Sequence, residues 1–297
     1  MSALITSSFE IPNSIATGIF EKAQKGSTLA RLSGAIPQKF GKQTAWVLSA
    51  PPKAEIVGEG GKKSPTPALY APKTINPIKL QVTMRASQEV MWADEDVQIG
   101  VIQDLAANAG IALGRALDLV GIHKINPLTG VVSELVKEGL TDTTQSVTLT
   151  GEKYDQAIEA AAGIIISSGY APTGIAMDTS LSFGLSTMRD NQGKKLYPDI
   201  GFGQNLANFE GMNAAVSDTI SAKNEMSVAS NILGITGQFN AFRWGVQRNI
   251  GAHVIEYGDP DGLGDLQRQN QIAIRAEIVY GIGIMDMNAF VKIVKAA

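Results

Sequence analysis

The period of the apolar positions changes several times along the chain, and each change predicts an element. "PIKLQVTMRA" (Pro77–Ala86) places Ile78, Leu80, Val82 and Met84 at every second position, the pattern of a strand with one buried face. The run "TAWVLSA" (Thr44–Ala50) also predicts a strand. Between the two lie about 26 residues (51–76) that include "IVGEGGKKSPTPALY" (Ile56–Tyr70), too rich in Gly, Lys and Pro to form a core. Two strands joined in this way make an extended hairpin. From Asp94 to Gly121 the period becomes helical, with Val101, Ile102, Leu105, Ala109, Leu113, Ala116, Leu117 and Val120 on one side. Such a helix spans about 40 Å. Asp94 suits its N-cap and Gly121 its end, and Ala106, Ala109, Gly110 and Gly114 permit close approach by other elements.

Elsewhere the signals are shorter. Ile15, Ile19 and Phe20 within Ile11–Leu32 predict an amphipathic helix that needs a surface to lie on. Glu152–Gly169 predicts another helix, Thr173–Thr179 a buried strand, and Ser180–Asp199 a helix running into a turn. After the turn signal "GDPDG" (Gly258–Gly262), Asn270–Asp286 alternates Ile272, Ile274, Ala276 and Ile278 as a strand does. Helices and strands mix without a regular βαβ repeat, which predicts an α+β fold.

Composition narrows the chemistry. With 297 residues and 44% hydrophobic residues the chain builds one large core or two modest ones. The balance of 25 Lys+Arg against 28 Asp+Glu argues against a protein whose main task is gripping phosphates, so contact with nucleic acid is expected to be weak. With no Cys, disulfides, thiolate nucleophiles and Cys-based zinc sites are excluded. No basic-then-apolar leader and no run of about 18 apolar residues is evident, so retention in the producer's cytoplasm, away from membranes, is expected.

Catalytic signatures fail on inspection. His123 and His253 lack metal or triad spacing and read as hydrogen-bonded or surface residues. "GEGGKKS" (Gly58–Ser64) departs from a phosphate-binding loop, since Lys62 is followed by Lys63 and Pro65 and Pro67 forbid the helix that must follow. "GFGQNLANFEG" (Gly201–Gly211) does not match a dinucleotide fingerprint. No cofactor or metal is expected, and nothing assembles a nucleophile, base and orienter as an ordinary enzyme requires.

The order of the pieces carries a resemblance. The N-terminal helix, "TAWV", the V-x-E-G-x-K hairpin, "SQEVMW" (Ser87–Trp92), the long helix, the N-P-x-x-G loop (Asn126–Gly130), the block Met177–Leu196 and the "IAIRAE" strand follow one another as in tailed-bacteriophage major capsid proteins. The chain resembles the HK-ninety-seven capsid fold over nearly its full length. That resemblance implies an N-arm (1–42), an E-loop with flanking strands (43–86), a P-domain built on the long spine helix and a β-layer (87–149 and 250–297), and an A-domain with a central sheet flanked by helices (150–249). It implies self-assembly as hexamers and pentamers into an icosahedral virion shell around double-stranded DNA, formed in the host cytoplasm, with a portal and decoration proteins as partners. An encapsulin-type nanocompartment shell shares the fold and is the alternative. Because the arm begins within the first dozen residues, a separate scaffolding protein, or none, is expected.

Some members of that family join a Lys on the E-loop to an Asn of another subunit through an isopeptide bond assisted by a Glu. The resemblance places these roles at Lys63, with Lys62 as neighbour, at Asn270 and at Glu277. On a strand an odd offset points two side chains to opposite faces, so Asn270 and Glu277 of one chain are expected to serve different sites. The same residues admit a plainer account: a solubilising loop tip, an edge polar residue, and an ion-pair partner for Arg275 or Arg268.

Overall fold

The computed structural model describes residues 26–50, 53–65, 69–92, 95–202 and 206–296. The expected helix over Ile11–Leu32 lies largely outside these residues; within its last part a separate short helix, α1 (Thr28–Leu32), starts at the N-cap Ser27, whose side chain accepts Ala30 N. The expected cap Asp94 also lies outside them. Strands β1 (Gln43–Ala50) and β2 (Leu69–Ser87) form a long hairpin where the E-loop is expected, and the spine helix α2 runs from Glu95 to His123. Then follow β3 (Ser146–Leu149), α3 (Tyr154–Ser167), β4 (Gly174–Met177), α4 (Thr179–Thr187), β5 (Asn208–Phe209), β6 (Met212–Val216) and β7 (Ile232–Gly237). Strands β8 (Phe242–Ile255), β9 (Gln271–Ile284) and β10 (Phe290–Lys295) complete the α+β chain.

The strands form two sheets, one of four in the order β1-β2-β9-β8 and one of six in the order β3-β10-β7-β4-β6-β5. The six-stranded sheet packs with α3 and α4 around Ile158, Ile165, Leu181, Leu185, Ile175 and Ile293. Its strands β3 and β10 come from the stretches 87–149 and 250–297, while β8 enters the four-stranded sheet from residue 242.

The period-2 pattern of β2 turns Ile78, Leu80, Val82 and Met84 toward the spine, where Leu113, Leu117 and Val120 meet them. Strand β9 departs from the expected alternation, because its residues are buried on both faces. Its even positions Ala276, Ile278, Tyr280, Ile282 and Ile284 join the spine-side core, and other chain segments cover the opposite face. By length and composition the spine segment Gln103–His123 would suit a membrane span, yet 67% of its most apolar window is buried inside the fold.

The spine ends two residues later than expected. Gly121 is not its stop but a packing position: a Cβ there would approach Leu29 Cδ1 to 2.7 Å and the Phe242 ring to 3.0 Å. Lys124, with φ of 61°, makes the turn instead.

Asp118, in the apolar C-terminal part of this helix, is fully buried and receives five hydrogen bonds. Its Oδ1 accepts from Ser27 Oγ at 2.5 Å and Leu29 N at 3.0 Å. Its Oδ2 accepts from Thr28 N at 2.8 Å, Thr28 Oγ1 at 2.7 Å and Thr219 Oγ1 at 3.0 Å. Burial pushes this carboxyl above its ordinary range, and the donors from Ser27, Leu29 and Thr28 pull against that. Two further spine residues hold the same neighbouring segment. Arg115 pairs with Asp218 at 2.7 Å and with Glu225, and the buried His123 ring places Nε2 2.9 Å from Ile220 O. Burial pushes His123 below its ordinary value, so the ring is neutral and donates Nε2–H to that carbonyl.

Asp118→Asn turns an NH2 group toward donors and leaves at least two of them unpaired, so urea melts should show a loss of about 3 kcal/mol. Asp118→Glu, which keeps the charge but not the reach, should lose less than Asp118→Ala. An unchanged midpoint in all three would show that the arm is held by other contacts.

Candidate functional site

The β1–β2 hairpin, the expected E-loop, stands out from the sheet because its two strands outrun their neighbours. β2 pairs with β9 only from Asn76 to Ser87, whereas residues 69–75 pair with β1. Beyond Asn76 the chain is therefore a two-stranded ribbon, an element marginally stable by itself. At its tip residues 53–65 are exposed throughout, held by a turn in which Gly61 N donates to Gly58 O at 2.9 Å and by Ser64 N donating to Glu55 Oε1 at 2.6 Å. Lys62 and Lys63 lie on this exposed tip. Trp46, Ile56, Leu69 and Tyr70 are exposed as well, so the ribbon presents large apolar groups to solvent. At the root, a cleft of about 450 Å³ lies between Lys73, Asn76 and Ile78 of β2, Ile282 of β9 and Val136–Glu138, with Lys73 paired to Glu138 at 3.5 Å.

Asn270 is not on the strand where the sequence places it. It occupies the left-handed region just before β9, with φ of 53°, a conformation Asn tolerates better than most residues. Its carbonyl accepts Gln88 N at 2.8 Å. The loop leading to it is organised by Arg85 on β2. That guanidinium donates to both carboxylate oxygens of Asp261, to Asp259, to Gly264 O at 2.8 Å, and to Gln269 and Gln271 at 2.7 and 3.0 Å. One side chain thus collects the 259–271 segment onto the end of β2. Arg85 in turn holds the Asp261 carboxyl below the usual carboxylate range.

Glu277 is 9% exposed and lies directly across from Gln81. Its partner is Lys79, at 2.9 Å, in place of the expected Arg275 or Arg268. The reason is geometric: Lys79 sits diagonally across the strand pair on the same face, within reach of a long side chain. Arg275 is drawn aside to Thr83 Oγ1 at 3.0 Å and Pro260 O at 2.6 Å. Among the described residues no hydrogen bond or ion pair joins Lys63, Asn270 and Glu277 to one another, and no cluster of His, Asp and Glu could hold a metal. Lys79, Arg85 and Asp118 escape sequence reasoning. The one available signal was a lone charged residue in an otherwise apolar stretch, as in "ALDLVG", which marks Asp118 as a group needing donors.

The phage capsid family model matches residues 8–295. Over 285 residues the chain is 23% identical to the probable major capsid protein gp17 of Mycobacterium phage D29, covering 92% of this chain and 86% of that one. A solved structure from Mycobacterium phage Ogopogo is 50% identical, with a TM-score of 0.82 over 91% of this chain and 92% of that chain. One from Gordonia phage Cozz is 30% identical, with a TM-score of 0.79 over 91% and 87%. The capsid of a native GTA particle, at 14% identity and a TM-score of 0.64, shares the fold.

Asp261 is depressed in the folded chain, so below its ordinary value the unfolded form takes the proton first. The clamp on the 259–271 loop is therefore complete above about pH 4 and is lost as pH falls through the folded value. Hydrogen exchange should show Leu263 and Gln271 amides losing protection in acid before the spine does, and Arg85→Met should produce that loss at neutral pH. Equal protection in the variant would remove Arg85 as organiser. The chain belongs to the phage capsid family, and its fold is that of a phage major capsid protein.

Proposed function

We propose that this chain assembles through hexamers and pentamers into an icosahedral shell around double-stranded DNA, with each E-loop lying across a neighbouring copy. The observation that carries this reading is the exposed ribbon: Trp46, Ile56 and Tyr70 are largely uncovered by the described residues, and association with a neighbouring copy removes them from water. Residues 1–42 serve as N-arm, 43–86 as E-loop, 87–149 with 250–297 as P-domain and 150–249 as A-domain. A portal, and scaffolding or decoration proteins made separately, are the other partners, and DNA is confined without tight binding. The family match and the phage structures favour this over a nanocompartment shell.

The protein is structural, and its sole chemistry in this proposal is a single-turnover isopeptide bond. The Lys63 amine of one copy, deprotonated by Glu277, attacks Cγ of Asn270 in another. The new C–N bond replaces the bond from Cγ to Nδ2, and the two protons given up by the Lys63 ammonium leave on that nitrogen as ammonium. Assembly supplies the effective concentration. Glu277 must share its carboxylate between Lys79 and the incoming Lys63, so the reaction waits for a neighbour.

Particles pelleted from producing cells, boiled and reduced, should run on a denaturing gel as multiples of the 31.4 kDa chain. Lys63→Ala and Asn270→Asp should each collapse the ladder to a single band, while Lys62→Ala keeps it. A ladder unchanged in the first two removes those residues from the bond. A single band from the parent leaves a shell closed by non-covalent contacts alone, and electron micrographs of the same pellet test the shell itself.

A further inference from the structure

The stretch from Ser33 to Lys42 links the arm to the E-loop, and it takes an unusual route across the four-stranded sheet. It begins on the spine side, where Ser33 O accepts Trp244 Nε1 at 2.9 Å. At the edge strand β8, Ile36 N donates to Trp244 O at 2.8 Å. Gln38 Nε2 then reaches Gly281 O on β9 at 3.3 Å, and Gln247 Nε2 donates to Gln38 Oε1 at 3.2 Å. Gln247 also closes a pair of bonds with Gly41, accepting its N–H at 2.9 Å and donating to its carbonyl at 3.0 Å. Immediately afterwards Gln43 pairs with Ile75 and the ribbon begins.

The crossing is possible because two glycines face each other beneath it. Gly245 and Gly281 are directly paired between β8 and β9, on the face away from the spine. A Cβ on Gly245 would overlap Ile36 O, and one on Gly281 would overlap Gln38 Oε1 and Gln247 Nε2. Together they make a trench one side chain deep. Neither glycine has a positive φ, so the turn chemistry that commonly selects glycine does not explain either position. The segment in the trench contributes little to the core: Ile36, Pro37, Lys39 and Phe40 are exposed, and its grip is almost wholly polar. Both of its ends are firm, with Ser27–Leu29 fixed to Asp118 and Gln43 in the sheet. Weak polar attachment between two firm ends is the pattern of an element that opens locally while the fold stays intact.

We propose that the Gly245–Gly281 trench is a peptide-binding seat whose occupant is the chain's own segment 36–38, and that its occupancy sets the direction in which the E-loop leaves the sheet. Seated, the strap pulls the start of β1 toward β8. Released, it frees the ribbon to swing about Asn76, where pairing with β9 ends. Subunits in non-equivalent positions of a shell require such an adjustment, and the strap supplies it without disturbing the spine.

The test uses the purified chain, with trypsin acting at Lys39 and Lys42. In Gly281→Ala and Gly245→Ala, cleavage there should accelerate by about tenfold or more, because several polar contacts are lost together. Circular dichroism and the melting transition should remain close to the parent's, and particle yield by sedimentation should fall. Cleavage at the parental rate overturns the seat. Fast cleavage with a normal yield of normal particles overturns the link to the E-loop. Should the alanine variants fail to fold, Gln247→Ala, which removes the grip and leaves the trench open, must show the same acceleration, and parental protection in that variant overturns the proposal. The cleavage readout does not depend on the shell, so a failure of the proposed function and a failure of the seat are separable.

Discussion

A charge with no water is the constraint on which the rest of this molecule depends. Asp118 sits among Leu117, Leu119 and Val120 on the spine, and a carboxylate in such surroundings is tolerable only if donors surround it. The donors are not local. Three come from Ser27 and Thr28, one from Leu29 and the last from Thr219, roughly 90 to 100 residues away on either side of the chain. The spine therefore cannot be completed until both the arm and the 217–220 segment have arrived. Arg115 and His123 extend the same logic by about one helical turn in each direction, so this part of the spine reads out the correct placement of two distant stretches, 27–29 and 218–225.

The four-stranded sheet is organised around a second polar group of the same kind. Arg85 has its donors satisfied by Asp259, Asp261, Gly264, Gln269 and Gln271, which converts a Gly-rich, Pro-containing loop into a defined surface. Asp118 is buried and Arg85 sits near the surface, so the first governs whether the chain folds and the second governs how one exposed loop is presented. Asn270 and its left-handed backbone inherit their position from that loop. Glu277, two pairs along from Lys79's own partner Val279, inherits its position from the strand register.

Much of this was legible in the amino-acid sequence, and the reasons are specific. The alternation of Ile78, Leu80, Val82 and Met84 located β2 and its buried face, and the long 3.6-residue period located the spine, because both patterns report burial against one surface. The end of the spine was misplaced because Gly121 signals a stop by composition but serves close packing against Leu29 and Phe242. β9 hid its second buried face, since its covers are a loop and a strap that no periodicity records. Lys79 was missed as the partner of Glu277 because cross-strand diagonals depend on register. The trench glycines were invisible for a related reason: Gly245 and Gly281 are 36 positions apart and become one feature only when β8 and β9 pair.

The shared strand has a mechanical consequence. β2 is one uninterrupted element of 19 residues, with its first part in the β1–β2 ribbon and its second part in register with β9 over twelve consecutive positions, alternate ones hydrogen-bonded. Hydrogen bonds between antiparallel strands lie perpendicular to the strand axis. A pull on the hairpin along that axis therefore loads the bonds of this ladder in shear together and does not peel them open one by one. Force received at the tip passes through β2 into the central strand of the sheet, where it is shared with β8 and the spine, so the most exposed part of the subunit is tied to its stiffest part.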